Sequence, residues 1–283
     1  MTNLIDLLNG ASRLRSGVPC SFADENPRVG GSHHVFQIII ADSVHWAARI
    51  SINPNTWKEI KAPNIFVDEE RRVLYSEWVI GKPLAIWNHE IHSIKRLRML
   101  AGLAEFLLYL WTTPVPSDLV TNKDCRYSTW LMESLDQGLR RILAGTARWG
   151  NAVNYLIMRS MVSNYAAEFD NTSTGIGFSH GDLNAYNIMT NEDLSITGVV
   201  DWDWTSVAPL PAIIHHPWFM ADIPGWNNDG VSDGENFLDD RLSLQDFVRR
   251  KEISQKLPLT VSTLLKDSGK RLYFQSAFHF KYP

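Results

Sequence analysis

The segment FSHGDLNAYNIMTNEDLSITGVVDWDW, residues 178–204, concentrates side chains able to do chemistry: His180, Asp182, Asn187, Asp201 and Asp203. A site that moves a phosphoryl group needs a carboxylate to take the proton of the attacking hydroxyl. It also needs oxygen ligands that hold magnesium against nucleotide phosphates. An Asp, four intervening residues, an Asn, and a hairpin that ends in a second Asp supply all three groups. The loop would place Asp182 and Asn187 together, and the hairpin would return Asp201 beside them. Asp203 lies two residues beyond Asp201, so in extended chain both would face one side.

The elements that must position these groups follow from period and punctuation. Residues 187–190 (NIMT), a polar turn at Asn191, Glu192 and Asp193, and residues 194–202 (LSITGVVDW) predict a short β-hairpin. Before Gly81 the signals are mostly strands. Residues 35–40 (VFQIII) and 45–50 (HWAARI) flank a turn at 41–44, and a third strand is expected over 71–79 after a turn at 68–70. Gly81, Lys82 and Pro83 end this part.

Three helices are then expected. The first spans about 90–111, with Ile91, Ile94, Leu97, Ala101, Ala104 and Leu108 as its core stripe, stopped by Pro114 and Pro116. The second is capped by Ser128, carries Leu131, Leu135, Leu139 and Ile142, and stops at Gly145. The third spans about 152–169, with Leu156, Met161, Tyr165 and Phe169 among its core positions. A Gly-containing acidic loop is expected over 227–240, an amphipathic segment over 242–253, and only weak patterning in the last thirty residues. Strands segregated from helices indicate an α+β chain rather than alternating βαβ units.

HGDLNAYN resembles the catalytic loop of the aminoglycoside phosphotransferase and choline kinase-like family, the counterpart of the H-R-D-x-x-x-x-N loop of protein kinases. VVDWDW is similar to the metal-binding segment that comes after it. The resemblance runs from about residue 29 to 226 and is closest in style to fungal members. It implies a two-lobed protein-kinase-like fold, with a small antiparallel β N-lobe over 1–79 and a mainly helical C-lobe over 80–283. It also implies an ATP-dependent small-molecule kinase that moves the γ-phosphate to a hydroxyl. Asp182 would be the catalytic base, Asn187 and Asp201 the magnesium ligands, and His180 a structural residue of the loop.

In the first lobe, Gly30, Gly31 and Ser32 resemble the glycine loop over ATP phosphates. Arg49 sits where the family places a basic phosphate-pairing residue, and Glu77 and Val79 stand where backbone groups would meet adenine. The chain departs from the family at one point. About two dozen residues separate Arg49 from Glu77, too few for a full helix carrying a glutamate partner as well as the remaining strands. Residues 53–61 could form one or two turns, with Glu59 as the candidate partner. A shortened N-lobe keeps open a non-catalytic reading, in which the chain binds a nucleotide or a partner without turnover.

Two other chemistries compete. Gly177-Phe178-Ser179-His180-Gly181 matches the G-x-S-x-G nucleophile elbow, but the surrounding sequence predicts neither a strand before it nor a helix after it. His180, Asp182, Asp201, Asp203, His215 and His216 could form a metal cluster, although adjacent His215 and His216 suit a packing pair better. Asp222, Asp229, Asp233 and Glu235 could face a cationic acceptor, or form a solvated acidic loop.

Bulk composition narrows the remainder. The 283 residues are 45% hydrophobic and 20% charged, with net charge −4, so no nucleic acid partner is expected. Only Cys20 and Cys125 are present, outside any CxxC pair, which fits a reducing compartment. Residues 1–16 lack the order of a signal peptide, with Asp6 in the apolar stretch and the basic residues after it. The apolar run over 101–111 is too short and too charged to span a bilayer. A cytoplasmic protein without a membrane partner is expected.

Overall fold

A computed structural model describes residues 3–30, 33–52, 65–69, 71–120, 126–147, 150–172, 175–221, 236–266 and 268–279. The chain forms two compact units, Met1–Val79 and Ile80–Pro283.

The first unit opens with helix α1 (Leu4–Leu14) and continues with strands β1 (Cys20–Phe22), β2 (Arg28–Val29), β3 (His33–Ile40), β4 (His45–Ser51), β5 (Phe66–Asp68) and β6 (Val73–Glu77). The strands form one antiparallel sheet in the order β1-β3-β4-β6-β5, and β2 lies beside β1 along the same edge of β3. Alternate residues point to one face: Phe36, Ile38 and Ile40 from β3, Trp46 and Ala48 from β4, and Val73 and Tyr75 from β6. That face needs a cover, and α1 supplies it with Leu7 and Ala11.

The helix had no counterpart in the strand-dominated sequence reading, although Leu4, Leu7, Leu8, Ala11 and Leu14 recur at three and four. The Asn3 side chain caps it at the Ile5 N–H, 3.1 Å away. Tyr75 pins it from below by donating to the Leu7 carbonyl at 3.0 Å. The predicted strands over 35–40 and 45–50 are present. The strand over 71–79 is shorter, and Asp68, expected in a turn, closes β5 while accepting from the Arg71 N–H at 3.1 Å. Residues 53–61, including Glu59, lie outside the described residues.

The second unit contains β7 (Lys82–Pro83), α2 (Ser93–Thr112), α3 (Tyr127–Leu143), α4 (Ala152–Thr172), β8 (Ile176–Ser179), β9 (Ile188–Thr190), β10 (Ile196–Val199), β11 (Ser206–Pro209), α5 (Leu210–Ile213), α6 (Leu238–Ser254), α7 (Thr260–Lys266) and α8 (Ser268–His279). The three expected helices are present, but two core stripes differ. In α2 the buried set is Met99, Leu100, Leu103, Ala104, Leu107, Leu108, Leu110 and Trp111, while Ile94 is 62% and Leu97 47% exposed. The later turns of α2 pack against α6, β8 and β10 together, so burial wraps the helix instead of following one stripe.

In α4, Leu156 and Met161 are exposed, and Tyr155, Val162 and Ala166 are buried. Gly138 of α3 decides that rotation: a Cβ there would stand 2.2 Å from the Tyr155 ring, so only a bare backbone admits it. The N-cap of α3 is Arg126, not Ser128. The Ser128 N–H is satisfied by Asp170 of α4 at 3.0 Å, a partner distant in sequence. No helix among the described residues is long and apolar enough to cross a membrane.

The C-terminal stretch, weakly patterned as sequence, is helical because a buried polar network holds it. Arg271 of α8 is 1% exposed and donates to the carbonyls of Pro211, Ile214 and Leu264 at 3.0, 2.9 and 2.6 Å. Gln275 donates to the Tyr127 hydroxyl at 2.9 Å and receives His215 Nε2 at 3.1 Å, while His216 Nδ1 meets Ser268 Oγ at 2.8 Å. His215 and His216 are therefore packing residues bonded to α8, and the six-residue metal cluster considered from sequence does not assemble.

Burial pushes His215 down to about 3 and His216 down to about 4, with the neighbouring arginines adding to the shift. Both rings stay neutral in the folded protein but bind protons near pH 6.5 once unfolded. Unfolding stability should be full above about pH 6.5 and fall steadily towards pH 4, where the unfolded chain holds the extra protons. Chemical denaturation across that window checks this. Equal stability at pH 7 and pH 5 in a variant carrying glutamine at both positions would assign the acid loss to these rings.

Candidate active site

The hairpin expected over 187–202 is formed by β9 and β10, paired antiparallel from Thr190 and Ile196 to Ile188 and Val199. Its turn is organised by Asn191, whose Oδ1 accepts the N–H groups of Asp193 at 3.0 Å and Ser195 at 2.9 Å. The buried β9 side chains fix its register, and β7 adds a third strand through Lys82 and Pro83. Gly81 enters that strand at φ +136°, where a Cβ would lie 2.7 Å from Thr190 O and Thr197 Oγ1.

The loop is delivered by β8, which pairs antiparallel with β11. His180 comes next, buried, and its Nε2–H donates to the Val200 carbonyl at 2.9 Å. The Val200 N–H in turn donates to the Asn187 carbonyl at 2.9 Å. Val200 is thus held from both sides by the loop, and the next residue is Asp201. The backbone there is left-handed, φ 64° and ψ 61°, a conformation that aspartate tolerates better than most residues. A left-handed turn directly after a doubly tethered residue redirects Asp201 out of the strand.

Asp182 and Asn187 touch directly. Asn187 Nδ2 donates to the Asp182 carbonyl at 2.8 Å and to Asp182 Oδ2 at 3.3 Å. Asn184 Nδ2 donates to Asp182 Oδ1 at 3.0 Å, and its own Oδ1 accepts the N–H groups of Tyr186 and Asn187 at 2.9 and 3.2 Å. Asn184 is a site residue that sequence reasoning missed; its signal was an Asn one residue before a short helical turn, the usual place for a cap.

His180 lies within the fields of both Asp182 and Asp201, which draw its proton affinity up against a larger depression from burial. The net shift is downward, which keeps the ring neutral and suits a structural donor. The Trp202 ring covers it at 4.6 Å and leans edge-on against Phe106 at 6.1 Å. Asp203 is exposed within the turn Trp202–Trp204.

With both amide hydrogens of Asn187 aimed at Asp182, the oxygen of that amide is the atom left for another partner. An amide oxygen and a carboxylate are the kind of oxygen donors that a hard cation such as magnesium takes when phosphates complete its shell. Among the described residues no three His, Cys, Asp or Glu side chains form a metal cluster of their own.

Gly181 packs against the segment after Asp201. Its φ is +77°, and a Cβ would lie 2.3 Å from the Trp204 carbonyl, so residue 181 accepts no side chain. Its N–H donates to Ser179 Oγ at 3.2 Å. The nucleophile elbow fails on this geometry. A strand does precede Ser179, contrary to the sequence reading, but the serine ends that strand. The chain then enters a loop and the short turn Ala185–Asn187 instead of a helix.

The remaining residues expected to meet the nucleotide belong to the first unit. Gly30 opens the β2–β3 turn, and its N–H is taken by the His33 carbonyl at 2.9 Å; Gly31 and Ser32 lie outside the described residues. Arg49 is on β4 opposite Val35 and Leu74, and its Nη2 is 3.4 Å from His33 Nδ1, beside the closing residue of that turn. Glu77 ends β6, exposed, opposite Trp46; Val79 is half-buried at the end of the unit. Asp222, Asp229, Asp233 and Glu235 lie outside the described residues.

No family model matches the sequence, and no curated protein matches it. Solved structures do. An ADP-bound aminoglycoside phosphotransferase superposes with a TM-score of 0.59 at 11% identity, covering 98% of this chain and 90% of that one. A streptomycin–ATP ternary complex of another aminoglycoside phosphotransferase gives 0.56 at 10% identity, over 100% and 93%. Choline kinase from Cryptosporidium parvum gives 0.53 at 12% identity, over 97% and 87%. The chain has the protein-kinase-like α+β fold of these small-molecule kinases, with an antiparallel β unit followed by a mainly helical one.

Proposed function

We propose that the chain is an ATP-dependent phosphotransferase that moves the γ-phosphate to a hydroxyl group of a small molecule. The observation that supports this most is the double tether of Val200 by His180 and Asn187, which fixes the residue before Asp201 to the loop that carries Asp182. Asp182 touches Asn187, and Asp182 and Asp201 both act on His180, a nearness that supports a site for in-line phosphoryl transfer. The ADP- and ATP-bound states of the similar structures support a nucleotide as donor.

Asp182 orients the acceptor hydroxyl and takes its proton as the new bond to the γ-phosphorus forms and the bond to the β–γ bridging oxygen breaks, releasing ADP. Asn187 and Asp201 would hold magnesium, which neutralises charge on the phosphates and the leaving diphosphate when bound. Arg49 grips phosphate oxygens through its two-pronged guanidinium. Gly30, Gly31 and Ser32 would cover the phosphates, and backbone groups of Glu77 and Val79 would receive adenine. The proposed setting is the cytoplasm, where ATP is available.

The test is transfer of labelled phosphate from ATP to a panel of alcohols, amino alcohols and amino sugars, with a thermal-shift measurement alongside. Magnesium-dependent labelling of at least one acceptor is expected. Stabilisation by magnesium-ATP without labelling or ATP consumption would favour a binding protein, and neither response would remove the nucleotide from the account.

A further inference from the structure

Asn184 makes more use of its side chain than a turn requires. Its oxygen accepts two backbone N–H groups and so closes the turn that carries Asn187, while its nitrogen donates to Asp182 Oδ1 at 3.0 Å. The turn needs only the oxygen, which serine or aspartate would supply equally well. The donated hydrogen bond goes instead to the carboxylate proposed as base.

Asp182 is therefore gripped unequally. Oδ1 takes the 3.0 Å bond from Asn184, and Oδ2 takes only the longer 3.3 Å contact from Asn187, whose shorter bond at 2.8 Å goes to the Asp182 main chain. A carboxylate oxygen already engaged by a good donor is the poorer proton acceptor. We infer that Asn184 is a positioning residue that occupies Oδ1, fixes the carboxylate rotamer and reserves Oδ2 for the incoming hydroxyl. This rests on the phosphotransfer reading, because it assigns Asp182 a proton to receive. It also explains how one residue keeps base and metal ligand in step: the side chain holding the Asp182 carboxylate also holds the backbone N–H of Asn187.

Two substitutions separate the donor from the cap. Asn184→Ser keeps a capping oxygen and removes the donor. Asn184→Asp keeps the cap and sets a second carboxylate against Asp182 Oδ1. Transfer rates and magnesium-ATP affinity are measured for both variants, and the carboxyl carbon of Asp182, assigned by its disappearance in Asp182→Asn, is followed by carbon-13 NMR at one fixed pH.

In Asn184→Asp the carboxyl carbon signal of Asp182 should move from its position in the parent chain, because a carboxylate replaces the N–H donor at Oδ1, and the transfer rate should fall. In Asn184→Ser the transfer rate should fall on the order of 10- to 100-fold through loss of orientation, with magnesium-ATP affinity unchanged. An unmoved Asp182 signal in Asn184→Asp, or a parental rate in Asn184→Ser, overturns the inference and leaves Asn184 as a cap alone. A parent chain that transfers no phosphate while the Asp182 signal still moves in Asn184→Asp would retire the phosphotransfer reading and leave the contact between residues 184 and 182 established.

Discussion

Asp182→Asn should lower phosphate transfer by roughly 100- to 10,000-fold, the usual contribution of a positioned general base, while the affinity for magnesium-ATP stays within about twofold of the parent. The substitution is nearly isosteric. An amide at 182 still offers one oxygen to Asn184 or Asn187, and the Asp182 carbonyl keeps its 2.8 Å bond from Asn187, so the loop retains its shape. What disappears is the ability to take a proton. Because Asn187 and Asp201 are untouched, nucleotide binding by calorimetry and turnover by phosphate transfer should separate cleanly. Parental turnover in this variant would remove Asp182 from the chemistry.

Asp201→Ala should act on the other quantity. Removing the carboxylate deletes a proposed magnesium ligand, and the loss of affinity for magnesium-ATP should be on the order of 100-fold, at or above the upper end of what residues merely supporting a ligand contribute. A second effect is separable. Residue 201 sits at φ 64°, where alanine is strained by about 1–2 kcal/mol and asparagine is tolerated. Asp201→Asn should thus lose nucleotide affinity with little change in melting temperature, whereas Asp201→Ala should lose both. Equal affinity in all three proteins would place the metal elsewhere.

The loop and the hairpin could be read from sequence because most of their determinants are local. The turn at Asn191, the strand residues either side of it and the spacing of Asp182 and Asn187 lie within one short segment. Elements fixed by distant partners could not be read in the same way. Arg271 is held by carbonyls 57 and 60 residues earlier, and without those partners α8 shows no strong pattern. The core face of α4 depends on Gly138 of another helix admitting the Tyr155 ring, and α4 carries apolar residues on both sides, so Leu156 and Met161 were assigned to the wrong one. Helix α1 was legible in principle, since Asn3 and the Leu4, Leu7, Leu8, Ala11 series are an ordinary cap and stripe. The left-handed backbone of Asp201 leaves no trace in residue type, because aspartate adopts the ordinary regions as well.

The central claim is that Asn187 and Asp201 face one divalent ion beside Asp182. A crystal structure with manganese and a non-hydrolysable ATP analogue, with the ion located by its anomalous scattering, tests this most directly. The account predicts an ion within about 2.0–2.3 Å of Asn187 Oδ1 and an Asp201 carboxylate oxygen. A metal-nucleotide bound away from these two side chains would contradict it.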